Sequence, residues 1–412
     1  MPTTDRLTDR LPGLGLAAEK ELREGILPFW ASQAIALDGG GFFGRIAADG
    51  RPDPSAGKGL VLNARILWSF SAALRRWPDP LYREISDRAF HYLVDHFLDA
   101  EQSGLYWGVD SRGGMLQGRK QTYGQAFGIY SMAEYFRATG DREALELAER
   151  LFEDIEVHAF DPESGGYWEA RGRSWEPIDD MRLSDIDLNA PFSMNTHLHL
   201  LEAYTGLVRA SDKPRHRERL RAVLEIILDR IVDARTGHLI LFQDERWQTM
   251  SGVVSYGHEI ETSWLVCEAA GTLADGSHSA RVDTVAMRLA DGVLAAGYDR
   301  PNGGIYYEAS PEGRIDTTKH WWAQAEGVVG FLNAYGLSGR NEFLGAALKT
   351  WDFIDAHVID RVLGEWHSHV TRAGEPIPDM DKASFWKCPY HNTRAMLEIA
   401  ERARTVATPP RR

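Results

Sequence analysis

Apolar residues recur along this chain at helical spacing, in stretches that come in pairs. The first member of each pair is apolar nearly all round, with isolated polar residues: Leu60–Leu74, Tyr123–Ala138, Ser193–Arg209, Glu259–Leu273 and Trp321–Tyr335. The second member carries Arg, Glu and Asp along one face: Leu81–Leu98, Glu143–Glu156, Arg215–Val232, Ala280–Ala295 and Asn341–Ala356. A further stretch of the first type begins near Tyr390 and runs to Arg402. Helices apolar all round belong inside, and one-faced helices wrap them. Between pairs stand Gly-plus-aromatic or Gly-plus-aliphatic segments, marked by Gly41, Gly104, Gly166, Gly237, Gly304 and Gly364 at intervals of 63, 62, 71, 67 and 60 residues. Six copies of one period are a structural statement. They predict an all-α fold, an (α/α)6 barrel of six helical hairpins with short β-hairpins or loops at one mouth. One domain over 1–412 is expected, with an ordered core of about 15–405. The competing arrangement is an open solenoid of hairpins, which the number six and the polar clusters at helix starts disfavour.

Composition narrows the function classes. The 412 residues carry a net charge of −14 without a long basic run, which argues against nucleic acid or an anionic membrane surface as partner. No stretch approaches 18 apolar residues, and the N-terminus lacks an apolar signal core. Two cysteines, Cys267 and Cys388, offer no disulfide framework and suit a reducing compartment. A cytoplasmic protein is the expectation. Many of the 13 Trp and 14 Tyr residues sit beside glycines, outside the apolar runs. Aromatic faces over a polar cleft grip sugar rings, and such residues also serve as core filler.

The starts of the inner stretches hold the chemically informative groups. Arg65 lies in Leu62-Asn63-Ala64-Arg65-Ile66-Leu67-Trp68, and a buried arginine is either paired or kept for a ligand. His197 and His199 flank Leu198 on a helix, so they point about 200° apart and cannot share a metal. Asn195, His199 and Glu202 form one stripe, whereas His197 reads as a satisfied core histidine. His258 and Glu261 are three apart and share a face; Thr262 stands where a zinc-protease helix needs histidine, so an acid/base pair is indicated rather than a metal site. Glu326 and Trp322 open the next inner helix, and His391 follows Pro389 in the first turn of the last one. A helix N-terminus favours the neutral, basic imidazole. No Gly-x-Ser-x-Gly elbow, dinucleotide fingerprint or Walker sequence occurs.

These segments together resemble the N-acylglucosamine 2-epimerase superfamily over nearly the whole chain. The resemblance rests on Leu62–Trp68, Met194–His199 followed by Leu201-Glu202-Ala203-Tyr204, Gly257–Glu261, Trp321–Glu326 and Trp386–Asn392. It implies an (α/α)6 barrel and an isomerase that inverts C2 of a reducing sugar, within the branch acting on β-1,4-linked disaccharides such as cellobiose and lactose. The glucose residue at the reducing end would become mannose through ring opening and a cis-enediol. By the same resemblance His258 and His391 are the two acid/base groups, Glu261 orients His258, Arg65 stabilises the enediolate and His199 assists ring opening. Asn195, Asp187, Tyr123, Trp322 and Glu326 would position the sugar, and Trp386 would stack on the second ring. No metal or organic cofactor is implied, the partner is the sugar alone, and a monomer or weak homodimer is expected. A mannose isomerase or monosaccharide 2-epimerase is the alternative on the same barrel. A glycoside hydrolase would instead need two carboxylates, for which Asp187, Glu261 and Glu326 are the candidates. The segments Leu188–Phe192 and Ala274–Ser279 are expected to be loop differences bearing on substrate range.

Overall fold

The computed structural model describes residues 7–37, 40–274, 276 and 278–406. The termini of the expected 1–412 domain, and Asp275 and Ser277 of the Ala274–Ser279 stretch, lie outside the described residues. Every expected helix forms. The inner helices are α2 (Leu60–Arg76), α4 (Thr122–Thr139), α6 (Met194–Ala210), α8 (Tyr256–Leu273), α10 (Trp321–Ser338) and α12 (Tyr390–Val406). Each inner helix packs on the next, and α12 returns to α2, so the ring is closed and the solenoid is excluded. The outer helices are α3 (Pro80–Tyr92), α5 (Arg142–His158), α7 (Pro214–Ile226), α9 (Ser279–Gly292) and α11 (Asn341–Phe353). Asp79 and Asp141 start two of them by accepting the N–H of Leu81 and Glu143, both at 2.9 Å.

The sixth pair is completed from the other end of the sequence. Its outer member, α1, comes from the N-terminal part of the chain and packs on α12. It runs from Leu11–Lys20 through a π-helical turn, Glu21–Ile26, into Leu27–Ser32. Its packed face includes Leu11, Leu14, Ala18 and Leu22. Pro12 and Pro28 both sit in first turns, where the missing N–H costs nothing, and the wide turn between them lets the axis continue.

The recurring glycines mark one turn used six times. An isolated antiparallel bridge joins residues seven apart at Ile35/Phe42, Leu98/Leu105, Phe160/Tyr167, Val232/Leu239, Tyr298/Ile305 and Ile359/Trp366. A two-residue strand then precedes five of the inner helices, among them Lys58–Gly59, Phe192–Ser193 and Lys319–His320. Each pairs antiparallel with a strand beyond the following bridged turn, for example Phe192 with Gln243 and His320 with His369. Outer-helix C-termini and inner-helix N-termini are thereby pinned together at one mouth of the barrel. Among the described residues no helix is long and apolar enough to cross a membrane.

Candidate active site

Register along the inner helices decides which polar residues face the barrel axis. Counted from each helix start, the sixth residues are Arg65, Phe127, His199, Glu261, Glu326 and Ala395. The second residues are Val61, Tyr123, Asn195, Gly257, Trp322 and His391, one turn nearer the mouth. The fourth residues point about 200° away from the sixth, toward the bridged turns. There Gln125 clamps both backbone groups of Leu105 (2.8 and 2.9 Å), and Gln324 clamps those of Ile305 (2.7 and 2.8 Å). His197 occupies the same station: it accepts the Tyr167 N–H at 3.1 Å and its Nδ1 meets the Ser193 carbonyl at 2.7 Å. It is the core histidine that its position indicated.

The axis-facing groups form one buried network. Arg394 reaches Glu202, donates to Glu261 at 2.5 Å and to Glu326 at 2.7 Å. Glu326 takes the Nδ1 edge of His391 at 2.7 Å and the Trp264 indole at 3.0 Å. Glu202 holds Nδ1 of His199 at 2.9 Å and accepts from the Tyr390 hydroxyl. His391 and His199 therefore both keep Nε2 for the cavity. Arg65 is the exception. Among the described residues no carboxylate forms an ion pair with it. Its guanidinium donates to the Tyr123 hydroxyl at 2.7 Å and contacts the Cys388 sulfur at 3.7 Å. It lies over the Phe127 ring at 4.2 Å and the Tyr390 ring at 4.9 Å, and its Nε is unpartnered.

The structure departs from two assigned roles. Glu261 does not orient His258: its carboxylate turns to Arg394 and stands 3.8 Å from His391, while Ser255 Oγ meets His258 Nδ1 at 2.8 Å. On one helix face, three residues apart, a stronger cation outcompetes the imidazole. Glu326, expected to touch sugar, is fully buried behind His391. Asp187 bonds Ser184 Oγ at 2.7 Å in the loop before α6 and makes no hydrogen bond to the network. Trp322, Tyr123 and Asn195 sit in the first turns of their inner helices, and Trp386 lies in the loop before α12. Trp322 stands between the two histidines, its ring 4.7 Å from His258 and 5.6 Å from His391. Gly257 makes this possible, since a Cβ there would meet the indole at 2.5 Å. Trp386 lies 5.9 Å from Tyr123 and lines a mouth cavity of about 240 Å3 with Trp107, Phe385 and the 180–185 loop. Asn195 Oδ1 has no protein partner. Arg394 was missed, although the reasoning applied to Arg65, a charge in the first turns of an inner helix, applies equally to it.

Burial governs the electrostatics. It lowers His258 to about 4, and it lowers His391 and His199 well below the usual imidazole range, with Arg65 adding to both. Burial outweighs the helix terminus that the sequence suggested for His391. It also raises Glu261 to about 8 and Glu326 well above the carboxylate range, the latter helped by Glu261, and brings Arg394 down to about 9. The cavity thus holds imidazoles that burial disfavours from charging, beside Glu261 and Glu326, whose affinity for protons burial raises. Glu261, Glu326 and His391 place ligand atoms within 4.8 Å of one another, a spacing a metal ion would accept. Arg394 already supplies the cation between those carboxylates, so an ion there would meet like charge.

Comparison with known proteins agrees with this geometry. The N-acylglucosamine 2-epimerase (GlcNAc 2-epimerase) family pattern matches residues 41–395. A cellobiose 2-epimerase of Bacteroides fragilis is 45% identical over 92% of this chain and 97% of its own. One from Dictyoglomus turgidum is 35% identical over 93% of this chain and 97% of its own. The solved cellobiose 2-epimerase of Spirochaeta thermophila superposes with a TM-score of 0.93 at 38% identity, covering 99% of this chain and all of that one. The solved relative shares the closed ring of inner helices, and the chain belongs to the N-acylglucosamine 2-epimerase family.

Proposed function

We propose that the chain is a 2-epimerase of reducing sugars, converting the glucose residue at the reducing end of β-1,4-linked disaccharides such as cellobiose and lactose to mannose. The observation that carries this reading is Arg65, a buried cation without a carboxylate, beside the imidazoles of His199 and His391. Leaving a guanidinium so is costly unless an anion forms there during turnover. An enediolate is such an anion. The relatives named cellobiose 2-epimerases support the sugar class.

The steps follow from the groups. His199 moves the proton that opens the ring. The resulting aldehyde acidifies C2, so no metal or cofactor is required for proton removal. One of His258 and His391 takes the C2 proton, Arg65 balances the negative oxygen, and the other histidine returns a proton to the opposite face. Glu326 and His391 share an edge at 2.7 Å, so one proton between them sets whether Nε2 donates or accepts. Trp322 offers a face to the reacting sugar and Trp386 to the second one.

The test is NMR in D2O with cellobiose or lactose. Deuterium entering C2 of the reducing residue, with a mannose-type product, is expected. Absence of C2 exchange sinks the reading, and a ketose product in place of mannose points to an isomerase.

A further inference from the structure

Glu365 breaks the sixfold repeat. The residue just before the second partner of each bridge is Gly41, Gly104, Gly166, His238, Gly304 or Glu365. Gly41, Gly104 and Gly304 have φ of 61°, 68° and 81°, the left-handed region that glycine enters freely. Glu365 has φ 58° and is 2% exposed, so a side chain is kept where four of the other five turns use glycine and where the left-handed backbone resists one.

Its carboxylate explains the exception. One oxygen accepts both from Lys387 Nζ at 2.6 Å and from Asn392 Nδ2 at 2.7 Å. The other accepts from the Trp30 indole of α1 at 2.7 Å. Lys387 and Asn392 flank the stretch Cys388-Pro389-Tyr390-His391, which supplies the sulfur beside Arg65 and the imidazole of His391. The turn aspartates Asp99, Asp299 and Asp360 pair with the buried Lys120, Lys319 and Lys382, the last of these in Glu365's own turn. The Lys387–Glu365 pair comes in addition to that scheme.

We propose that Glu365 is a positioning residue for the epimerase reaction, clamping both ends of the segment that presents His391 and holding the Lys387 charge beside it. This rests on the function proposed above. The charged and titratable groups around His391 are Glu326 of α10, Glu261 and His258 of α8, His199 of α6, Arg65 of α2, Tyr390 and Arg394 of its own helix, and Lys387 of the preceding loop. Lys387 disfavours imidazolium, and Glu365 moderates that influence.

The full chain carrying Glu365→Gln is compared with wild type by C2-exchange kinetics, by 15N NMR of the histidine rings without sugar, and by thermal melting. Loss of the clamp is expected to lower kcat about 10- to 100-fold with KM within about twofold. The His391 Nδ1 proton, identified by its loss in His391→Gln, is expected to exchange faster with water. The acid limb of kcat moves to lower pH in Glu365→Gln and to higher pH in Lys387→Met. Should Glu365→Gln not fold, Glu365→Gly installs the glycine that four of the other turns use and is expected to show the same loss. Unaltered His391 ring signals in the folded variant overturn the proposal, whether or not kcat falls. Because the ring signals are read without sugar, they decide this point even if wild type exchanges no C2 proton, an outcome that would sink the proposed function instead.

Discussion

Two stations on the same inner helices handle polar residues in opposite ways. At the fourth residue, Gln125, His197 and Gln324 face the bridged turns and are matched by backbone groups. At the sixth, Arg65, His199, Glu261 and Glu326 face the axis, where groups such as Arg65 Nε and Glu261 Oε2 are left without partners. Both sets are buried, so burial alone does not separate scaffold from chemistry. Direction does. His197 and His199 make the point most sharply, since a step of two residues, a little over half a helical turn, places two identical imidazoles in a structural clamp and in a reaction cavity.

The contrast can be broken in several ways. Arg65→Met should cost about 10³-fold in kcat, about 4 kcal/mol of transition-state stabilisation. Stability should stay within about 1 kcal/mol of wild type, because an unpaired buried charge is replaced by an apolar chain. Exchange kinetics and denaturant titration check the two halves. A large loss of stability would show that Arg65 belongs with the scaffold.

Acid should act on the scaffold station next. Burial lowers His197 to about 4, against 6.5 when unfolded. The unfolded chain therefore binds the proton first: this contribution is complete above pH 6.5 and is lost as pH falls toward 4. The loss is about 3 kcal/mol for that one group. Denaturation midpoints across this window measure it, and His197→Gln should flatten the slope. Gln324→Leu leaves the Ile305 N–H and C=O buried without partners, at about 2–3 kcal/mol of stability, while the folded fraction keeps its kcat. The smallest pair is the most discriminating. His199→Gln should lower kcat about 10- to 100-fold. His197→Gln, which installs the residue that Gln125 and Gln324 already use, should leave kcat within about twofold. Equal effects would erase the distinction between stations.

The ring of inner helices, the outer ring and the glycine cadence were legible because each rests on local periodicity. The α1 helix was not, because Pro12, Gly13, Gly15, Gly25 and Pro28 argue against a helix locally, and only packing on α12 overrides them. Arg65, His199, His258 and His391 stand out by residue type and position, while the roles expected of them rest on the family resemblance. Pairings across the axis were not, since Arg394 joins Glu202, Glu261 and Glu326 over separations that no local pattern records. That is why Glu261 was given to His258.

The union of α1 with α12 also bears on how the protein is made. Five helix pairs can assemble from neighbours in sequence, but the last joins stretches more than 350 residues apart, and such long-range closure is slow. Arg394 and His391 ride on the closing helix. An open intermediate would have most of its helices and none of its chemistry, with three inward carboxyl groups lacking their cation. On dilution from denaturant, circular dichroism should recover in an early phase and C2 exchange in a later one.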